Sequence, residues 1–573
     1  MIVLFALVFL LGCDGCDRLR FSHPGLLTQF SRESVHVYDI KPGMFETIPP
    51  YEKGFQPIRI HTEWIEGVGS DDKSEFFKHV AVPHVTRLVS RVFQVPDLSN
   101  LRDDVLYIHS DICKDWQRRH NIMFREFPKK DLVVFLEVTL RCDFYSRSMQ
   151  TSVCQSDAFG RPQVGKIQIC ENHLQKEWAK DTPRRESVLM ETLLHEFFHV
   201  LGFNAHTFSR RWGLSGRRYS CVIDPISRKP RVVWNLEGHE TANTYYYDFH
   251  PAVLQAIDAR GLKASECRCP LDPNREYSNE DIEYCILYPN HCAVAIVSPK
   301  VVEKAREYYA CESAKGMEIE NGRFEPSCRF WFLDLHWKTR LALGEILNPA
   351  RIGRYTFVSS MTLAFLEDSG GYKIDYSVFA PPLPGITWGH LKGCPFLFDE
   401  CISPSTGQVV DKDAFCRPIK SDRKWKCSKD ALTVLYCFGT LPAVDTSRVP
   451  ELPPYKYLGN QRYFDSESVF DHCPVFRDFF MYSCVDKKSR AQGVTGAHSR
   501  CFDRPIGPAC LRTKCENDGK SYRVENSREI STCTRAGQLS ATGLVCEDPS
   551  IICADMNAFH ALPALIPIPN ANI

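Results

Sequence analysis

The order of apolar and polar residues predicts a mixture of helices and strands along the chain. Apolar residues recur at helical spacing over residues 76–92, which predicts an amphipathic helix. Residues 132–140 are apolar and rich in β-branched side chains, which predicts a buried strand. Residues 164–170 alternate between apolar and polar positions, which predicts a half-exposed strand at the edge of a sheet. Three further helices are predicted at residues 301–309, 335–347 and 361–367.

The most apolar of the predicted helices begins before residue 191 and contains the stretch 191–203. Its apolar residues lie nearly all round the helix, which predicts that the helix is buried. Asp181 or Thr182 could cap its start, and Pro183 suits a first helical turn. Gly202 offers a sharp exit, as glycine does at the C-termini of helices. The apolar residues are Val188, Leu189, Leu193, Leu194, Phe197, Phe198, Val200 and Leu201.

This helix carries His195, Glu196 and His199, which form the pattern H-E-x-x-H. Residues four apart share one face of a helix, so both imidazoles can point at one metal ion. In zinc hydrolases with this pattern the two histidines bind Zn²⁺ and the glutamate acts as general base. Such a short pattern also recurs by chance on core helices. Buried polar side chains need partners, however, and a metal ion supplies one, so we expect a zinc site here.

The third zinc ligand is left undecided by spacing alone. A catalytic zinc ion usually has three protein ligands and one open position. A continuous H-E-x-x-H-x-x-G-x-x-H pattern would place the third ligand at Ala205, and His206 lies one residue late. A ligand of the thermolysin type would be Glu237 or Glu240. The remaining candidates are His239, His250, His291, His336 and His390.

The predicted strand at residues 164–170 directly precedes the metal-binding helix along the chain. An edge strand beside a catalytic cleft can pair with an extended peptide through main-chain hydrogen bonds. We therefore expect a peptide substrate to add to this strand.

Composition and charge narrow the class of partner and the compartment. The 573 residues carry 70 basic and 70 acidic side chains, so bulk charge indicates neither nucleic acid nor an anionic membrane surface as partner. The 26 cysteines are typical of a disulfide-bonded protein of the secretory pathway. Residues 2–11 form a short apolar run that resembles the core of a signal peptide. No later stretch is long and apolar enough to predict a transmembrane helix.

A series of landmarks, in order along the chain, makes this sequence resemble the leishmanolysin family of zinc metalloproteases. Besides the H-E-x-x-H helix, they are residues 301–311, 316–321, 335–341, 363–370, 388–389, 393–394, 472–474 and 499–503. The family belongs to the metzincins, so the resemblance implies an α+β fold: a metzincin-like catalytic domain with a mixed sheet and the active-site helix, a large insertion, and a Cys-rich, disulfide-stapled C-terminal domain. The family's third ligand lies in a His-Trp dipeptide, which maps to His336.

Two further properties of the family concern the metal. The family has a methionine turn after its third histidine, and the position of that methionine is Leu347 here. Leucine and methionine have similar side-chain volumes, so we expect zinc binding to persist. The family is made as a precursor that a pro-segment thiol keeps inactive. Cys13 or Cys16 could supply that thiol, because a thiolate is a good zinc ligand.

The resulting division of the chain has five segments. A signal peptide is expected at residues 1–16 and a pro-segment or linker at residues 17–55. The N-terminal catalytic subdomain would span residues 56–203 and end in the H-E-x-x-H helix. Residues 204–392 would form the insertion and a central subdomain with the third ligand. Residues 393–573 would form the C-terminal domain, whose 13 cysteines beyond residue 390 predict a small core held by disulfides.

The function expected from these features is a secreted or cell-surface zinc metalloendopeptidase. One catalytic Zn²⁺ would be held by His195, His199 and His336, and Glu196 would act as general base on water. The partners would be protein or peptide substrates and not nucleic acid; peripheral membrane association and the oligomeric state are left open. The alternative is a weakly active or inactive adhesion protein with a protease fold, for which Leu347 is the active-site argument.

Overall fold

The computed structural model describes the surroundings of the H-E-x-x-H helix and most of the C-terminal region. The predicted signal peptide and almost all of the predicted pro-segment, with Cys13 and Cys16, lie outside the described residues, as do the proposed helix cap at residues 181–183 and most of the insertion. The described residues are 54–66, 71–96, 105–108, 125–139, 149–156, 161–171, 185–204, 219–223, 230–234, 254–257, 293–296, 298–314, 316–325, 330–349, 356–369, 371–383, 385–399, 401–403, 406, 408–416, 425–438, 470, 473–516, 519–526, 529–540 and 543–553.

Both helices and strands are present, so the predicted α+β class is confirmed. The strands are β1 Phe55–Pro57, β2 Ile60–Glu66, β3 Phe93–Pro96, β4 Val105–Tyr107, β5 Glu126–Pro128, β6 Leu132–Thr139, β7 Met149–Ser156, β8 Pro162–Cys170, β9 Tyr219–Ile223, β10 Pro230–Trp234, β11 Leu254–Ile257, β12 Ala293–Ile296, β13 Met317–Glu325, β14 Phe330–Trp337, β15 Lys373–Ile374, β16 Trp425–Cys427, β17 Thr433–Phe438, β18 Val475–Ser483, β19 Ser499–Phe502, β20 Ala509–Cys515, β21 Tyr522–Asn526 and β22 Glu529–Cys533.

Most of the described α-helices lie before residue 400. They are α1 Asp72–Phe76, α2 Val82–Val92, α3 Arg185–Leu201, α4 Pro299–Tyr309, α5 Thr339–Ala342, α6 Ser360–Asp368, α7 Gly393–Phe398 and α8 Pro549–Ile552, and a π-helical turn at Phe77–Ala81 joins α1 to α2. The predicted helices at residues 76–92, 301–309 and 361–367 are thereby confirmed. Within the described part of the chain, no helix has the length and apolar character needed to cross a membrane.

A four-stranded sheet, in the order β2-β6-β8-β7, supports the site. Strands β2, β6 and β8 run parallel, and β7 pairs antiparallel with β8 at the edge. The predicted buried strand at residues 132–140 is confirmed as β6, whose first six residues are buried. The amphipathic helix α2 shares a hydrophobic core with this sheet. Its buried residues recur three and four positions apart, so they lie on one face of the helix.

The edge of this sheet is a different strand from the one that the sequence pattern indicated. Residues 164–170 do form a strand, β8, but β8 lies between β6 and β7 and is not an edge strand. The edge is β7, whose sequence MQTSVCQS is too polar for its pattern to predict a strand. Pairing with β8 supplies the main-chain hydrogen bonds that hold β7 extended, so its neighbour, and not its composition, determines its structure.

The predicted helix at residues 335–347 is wrong for most of its length. Strand β14 runs to Trp337, and the helical part is the single turn Thr339–Ala342. The chain turns at Gly344, whose φ is +84° and therefore suits glycine. The Trp337 amide donates to the Leu347 carbonyl at 3.0 Å, which closes residues 337–347 into a loop. Long-range contacts thus override apolar residues that recur at helical spacing.

The C-terminal region contains two small antiparallel sheets, in the orders β16-β17-β18 and β19-β20-β21-β22, held by disulfides. All thirteen cysteines beyond residue 390 form disulfide bonds, one of them with Cys311. Cys154 and Cys170 are disulfide-bonded as well. The expected Cys-rich, disulfide-stapled C-terminal region is therefore confirmed.

Candidate metal centre

Helix α3 is buried along most of its length, as the sequence predicts. Its apolar residues from Leu189 to Leu201 are buried on every side, which surrounds the motif residues with packed side chains. The helix ends in a Schellman motif: the Gly202 amide donates to the His199 carbonyl at 3.2 Å, and the Phe203 amide donates to the Phe198 carbonyl at 3.0 Å. Gly202 has a φ of +135°, so the predicted exit at this glycine is confirmed.

The rings of His195 and His199 are oriented by backbone carbonyls. His195 Nδ1 lies 2.6 Å from the Ile346 carbonyl oxygen, and His199 Nδ1 lies 2.7 Å from the Phe203 carbonyl oxygen. A carbonyl oxygen can only accept, so each Nδ1 carries the hydrogen, and in the neutral ring Nε2 is left with its lone pair. The two Nε2 atoms lie 3.1 Å apart. Two lone pairs at this distance repel each other unless a cation or a proton lies between them.

His336 brings a third ring nitrogen to the same point from strand β14. Its Nε2 lies 3.3 Å from His195 Nε2, and its ring stacks on that of His195 with centroids 5.1 Å apart. The ligand atoms of His195, His199 and His336 all lie within 4.8 Å of one another. When each Zn–N bond is about 2.0–2.1 Å, ligand nitrogens of a tetrahedral zinc site lie about 3.3 Å apart. The arrangement could therefore hold a zinc ion.

Glu196 follows His195 on the helix, and its side chain meets the edge strand. The residue is 7 % exposed. The Thr151 hydroxyl on β7 donates to Glu196 Oε2 at 2.5 Å and lies 3.4 Å from the Glu196 carbonyl oxygen. This hydrogen bond holds one oxygen of the Glu196 carboxylate against β7.

The turn Glu345-Ile346-Leu347 contacts the proposed ligand His195. Leu347, which the resemblance to leishmanolysins assigns to the methionine turn, is fully buried. The Ile346 carbonyl accepts from His195, and the Ile346 amide donates to the Phe357 carbonyl at 2.8 Å. The Ile346 carbonyl therefore orients one proposed ligand, as an outer-shell partner does in metal sites.

The carboxyl group of Glu345 holds this turn from inside the core. Its Oε2 accepts from the Leu347 amide at 2.5 Å, and its Oε1 accepts from the Ser359 amide at 3.1 Å, the Ser359 hydroxyl at 2.8 Å and the Thr362 hydroxyl at 2.6 Å. Burial raises the pKa of Glu345 to about 7, against the opposing effect of these donors. The Trp337 indole also donates to the Thr362 hydroxyl at 2.7 Å, so the network extends to the neighbour of His336.

Of the remaining ligand candidates, only His390 lies within the described residues. Its ring lies against Tyr308 with centroids 5.3 Å apart, and it does not belong to the histidine cluster. Burial lowers the pKa of His390. The candidates outside the described residues are His206, Glu237, His239, Glu240, His250 and His291. Within the described chain, the cluster of His195, His199 and His336 is the one group of three or more His, Cys, Asp or Glu residues that could hold a metal ion.

Sequence reasoning missed Thr151 and Glu345. Thr151 lies on the polar strand β7, which no local pattern indicates. Glu345 does give a signal, since it is a charged residue within the apolar run 341–347, but its role depends on donors up to seventeen residues further along the chain.

This chain is similar to leishmanolysins and leishmanolysin-like peptidases. Residues 286–559 match the family model described as leishmanolysin, a range that contains His336 and begins after the H-E-x-x-H helix. A leishmanolysin-like peptidase of Caenorhabditis elegans is 24% identical over 412 residues, which are 66% of this chain and 55% of the relative. Leishmanolysin of Leishmania major is 22% identical over 490 residues, or 82% and 65% of the two chains. Leishmanolysin of Leishmania chagasi is 27% identical over 479 residues, or 80% and 64%. The chain thus spans about half to two thirds of the length of these relatives.

Proposed function

The chain belongs to the leishmanolysin family, and from this premise we propose that it is a zinc metalloendopeptidase. His195, His199 and His336 would hold the ion. Zinc in such a site supplies Lewis acidity, which lowers the pKa of water to about 7 and stabilises negative charge on a carbonyl oxygen. The observation that carries the proposal is the convergence of three Nε2 atoms, two of them on rings whose Nδ1 atoms donate to backbone carbonyls.

The proton transfers are assigned to Glu196. As general base its carboxylate would take a proton from the attacking water, and it would then deliver that proton to the nitrogen of the departing amine. The carboxylate is suited to this role, because it is one residue from a proposed ligand and is largely shielded from bulk solvent.

The substrate would be an extended peptide bound along β7. Among the described strands of this sheet β7 is the outermost, with β8 as its paired neighbour, so a peptide strand would add on the side opposite β8. Main-chain hydrogen bonds would hold the peptide in register, and the Thr151 contact places the Glu196 side chain against this same strand. The predicted β-augmentation is retained, but on β7 in place of the strand at residues 164–170.

The compartment is proposed from the cysteines. A structure in which every cysteine beyond residue 390 is paired requires an oxidising environment to form and persist. Secretion or display at the cell surface meets that requirement, and the disulfide-linked C-terminal region would then resist reduction.

The decisive experiment compares metal content and peptidase activity in three variants of the purified chain. His336→Ala should lose most of its zinc, because two ligands on one helix bind zinc far more weakly than three. Glu196→Ala should keep its zinc and lose at least about 100-fold in kcat, the usual contribution of general acid–base catalysis. His79→Ala is the control, since that histidine is a solvent-exposed surface residue on the π-helical turn; both of its values should match those of the wild type.

Two results would contradict the proposal. Full zinc content in His336→Ala would favour a ligand elsewhere, such as Glu237 or Glu240. Zinc-loaded wild-type protein without chelator-sensitive peptidase activity would favour the adhesion protein with an inactive protease fold.

A further inference from the structure

We propose that Thr151 is a positioning residue that holds the carboxylate of Glu196 against the substrate-binding edge strand, an inference that rests on the proposed peptidase function. The Thr151 hydroxyl donates to Glu196 Oε2 at 2.5 Å and also approaches the Glu196 carbonyl oxygen at 3.4 Å. The contact joins two elements 45 residues apart in sequence, the strand β7 and the helix α3. A single hydroxyl thus links the proposed base to the strand that would bind the peptide.

The close approach of helix and sheet makes this contact reachable. Gly165 on β8 pairs with Val153 of β7, and a Cβ atom on Gly165 would lie 2.6 Å from Val200 Cγ1. Val200 lies one helical turn after Glu196, on the same face of α3. Because residue 165 has no side chain, the helix lies close to β8 and β7, and the short threonine side chain spans the remaining gap.

The residue type suits a positioning role. Threonine is β-branched, so its χ1 angle is restricted and its hydroxyl is held in a narrow range of directions. Glutamate has three side-chain torsions, and a hydrogen bond to its charged form is stronger than one between neutral groups. A stiff donor on a paired strand therefore limits the rotamers that the Glu196 carboxylate can occupy.

The position of Thr151 also relates the base to the substrate. A peptide that adds to β7 would take its register from the main chain of this strand. The base would take its position from a side chain of the same strand. Both would therefore move together if β7 shifted, and the carboxylate would keep its place relative to the scissile bond. A displacement of about 1 Å in such an arrangement can reduce the rate about 100-fold.

The test is kinetic and uses isosteric variants. Thr151→Val removes the hydroxyl and keeps the branched shape, and we expect kcat to fall about 10-fold to 100-fold, the equivalent of one hydrogen bond to a charged group. KM and zinc affinity should stay within about twofold, because neither peptide pairing nor the ligands change. Thr151→Ser restores a hydroxyl and should recover most of kcat. Thr532→Val, the same substitution at an exposed position of β22 in the C-terminal region, is the matched control and should behave as the wild type.

A second readout does not depend on activity. In zinc-free protein, the denaturation midpoints of wild type, Thr151→Val, Glu196→Ala and the double variant form a cycle, in which the two substitutions should be non-additive because each removes the same hydrogen bond. Wild-type kcat in Thr151→Val, no recovery in Thr151→Ser, or additive midpoint shifts would each overturn the assignment. If the wild type proved to be no peptidase, the proposed function would fail, and the cycle would still decide whether Thr151 holds Glu196.

Discussion

Replacement of Glu345 by glutamine separates two effects of a buried carboxyl group next to Ile346, the residue whose carbonyl orients His195. The two oxygens of Glu345 accept from four donors, namely the amides of Leu347 and Ser359 and the hydroxyls of Ser359 and Thr362. A glutamine side chain of the same shape has one oxygen and one NH₂ group. Wherever the NH₂ group points, at least one donor loses its acceptor, which should lower the free energy of unfolding by about 1–3 kcal/mol at every pH.

The second effect depends on pH. Burial raises the pKa of Glu345 from 4.5 to about 7. A carboxyl group whose pKa is raised by folding contributes stability that is fully present below pH 4.5 and is lost as the pH rises through 7. The wild type should therefore lose about 3 kcal/mol from this group between pH 4.5 and 7, since one pKa unit corresponds to about 1.4 kcal/mol. Glutamine does not ionise, so the variant should not show this loss.

The assay is denaturant unfolding of the zinc-free proteins between pH 4 and 8, followed by tryptophan fluorescence. The free energy of unfolding of Glu345→Gln minus that of the wild type should rise by about 3 kcal/mol from the acidic to the neutral end. Without zinc, the histidines titrate alike in both proteins, so their contribution cancels in this difference. Glu303→Gln, at a side chain that is 60% exposed, is the control and should run parallel to the wild type. Parallel curves for Glu345→Gln would refute the raised pKa.

Three other substitutions test how the fold supports the site. Gly165→Ala should lower the free energy of unfolding by about 1–3 kcal/mol and weaken zinc binding, because its Cβ would lie 2.6 Å from Val200 Cγ1; Gly165→Ala/Val200→Ala should recover both in denaturation and zinc titrations. Leu347→Met should change stability by less than about 1.5 kcal/mol and leave zinc affinity within about threefold, since the side-chain volumes are similar. A large gain in zinc affinity would show that leucine at this position impairs zinc binding. The disulfide Cys311–Cys394 closes a loop that contains His336 and has a sequence separation of 83. Replacement of both cysteines by serine should lower the free energy of unfolding by about 4 kcal/mol. An unchanged thermal midpoint would contradict a stabilising role for this disulfide.

The amino-acid sequence by itself determined the local half of the candidate metal centre. His195 and His199 share a helix face because they are four residues apart, and the apolar residues around them predict burial of α3. Gly202 marks the end of the helix for an equally local reason. The resemblance to leishmanolysins added His336, which spacing left among several candidates. Helical periodicity and capping act over a few residues, so they can be recognised in the chain.

Only the tertiary structure decided what lies around that helix. It brought His336 Nε2 to 3.3 Å from His195 Nε2 across 141 residues of sequence. It made β7 the outermost described strand of the sheet, although its sequence is polar, and it reduced the predicted helix at residues 335–347 to the single turn Thr339–Ala342. It also brought the Thr151 hydroxyl into hydrogen-bond distance of the Glu196 carboxylate. Periodicity records which face of an element is apolar, but strand order and long-range hydrogen bonds depend on which neighbour occupies that face, and no local pattern contains that information.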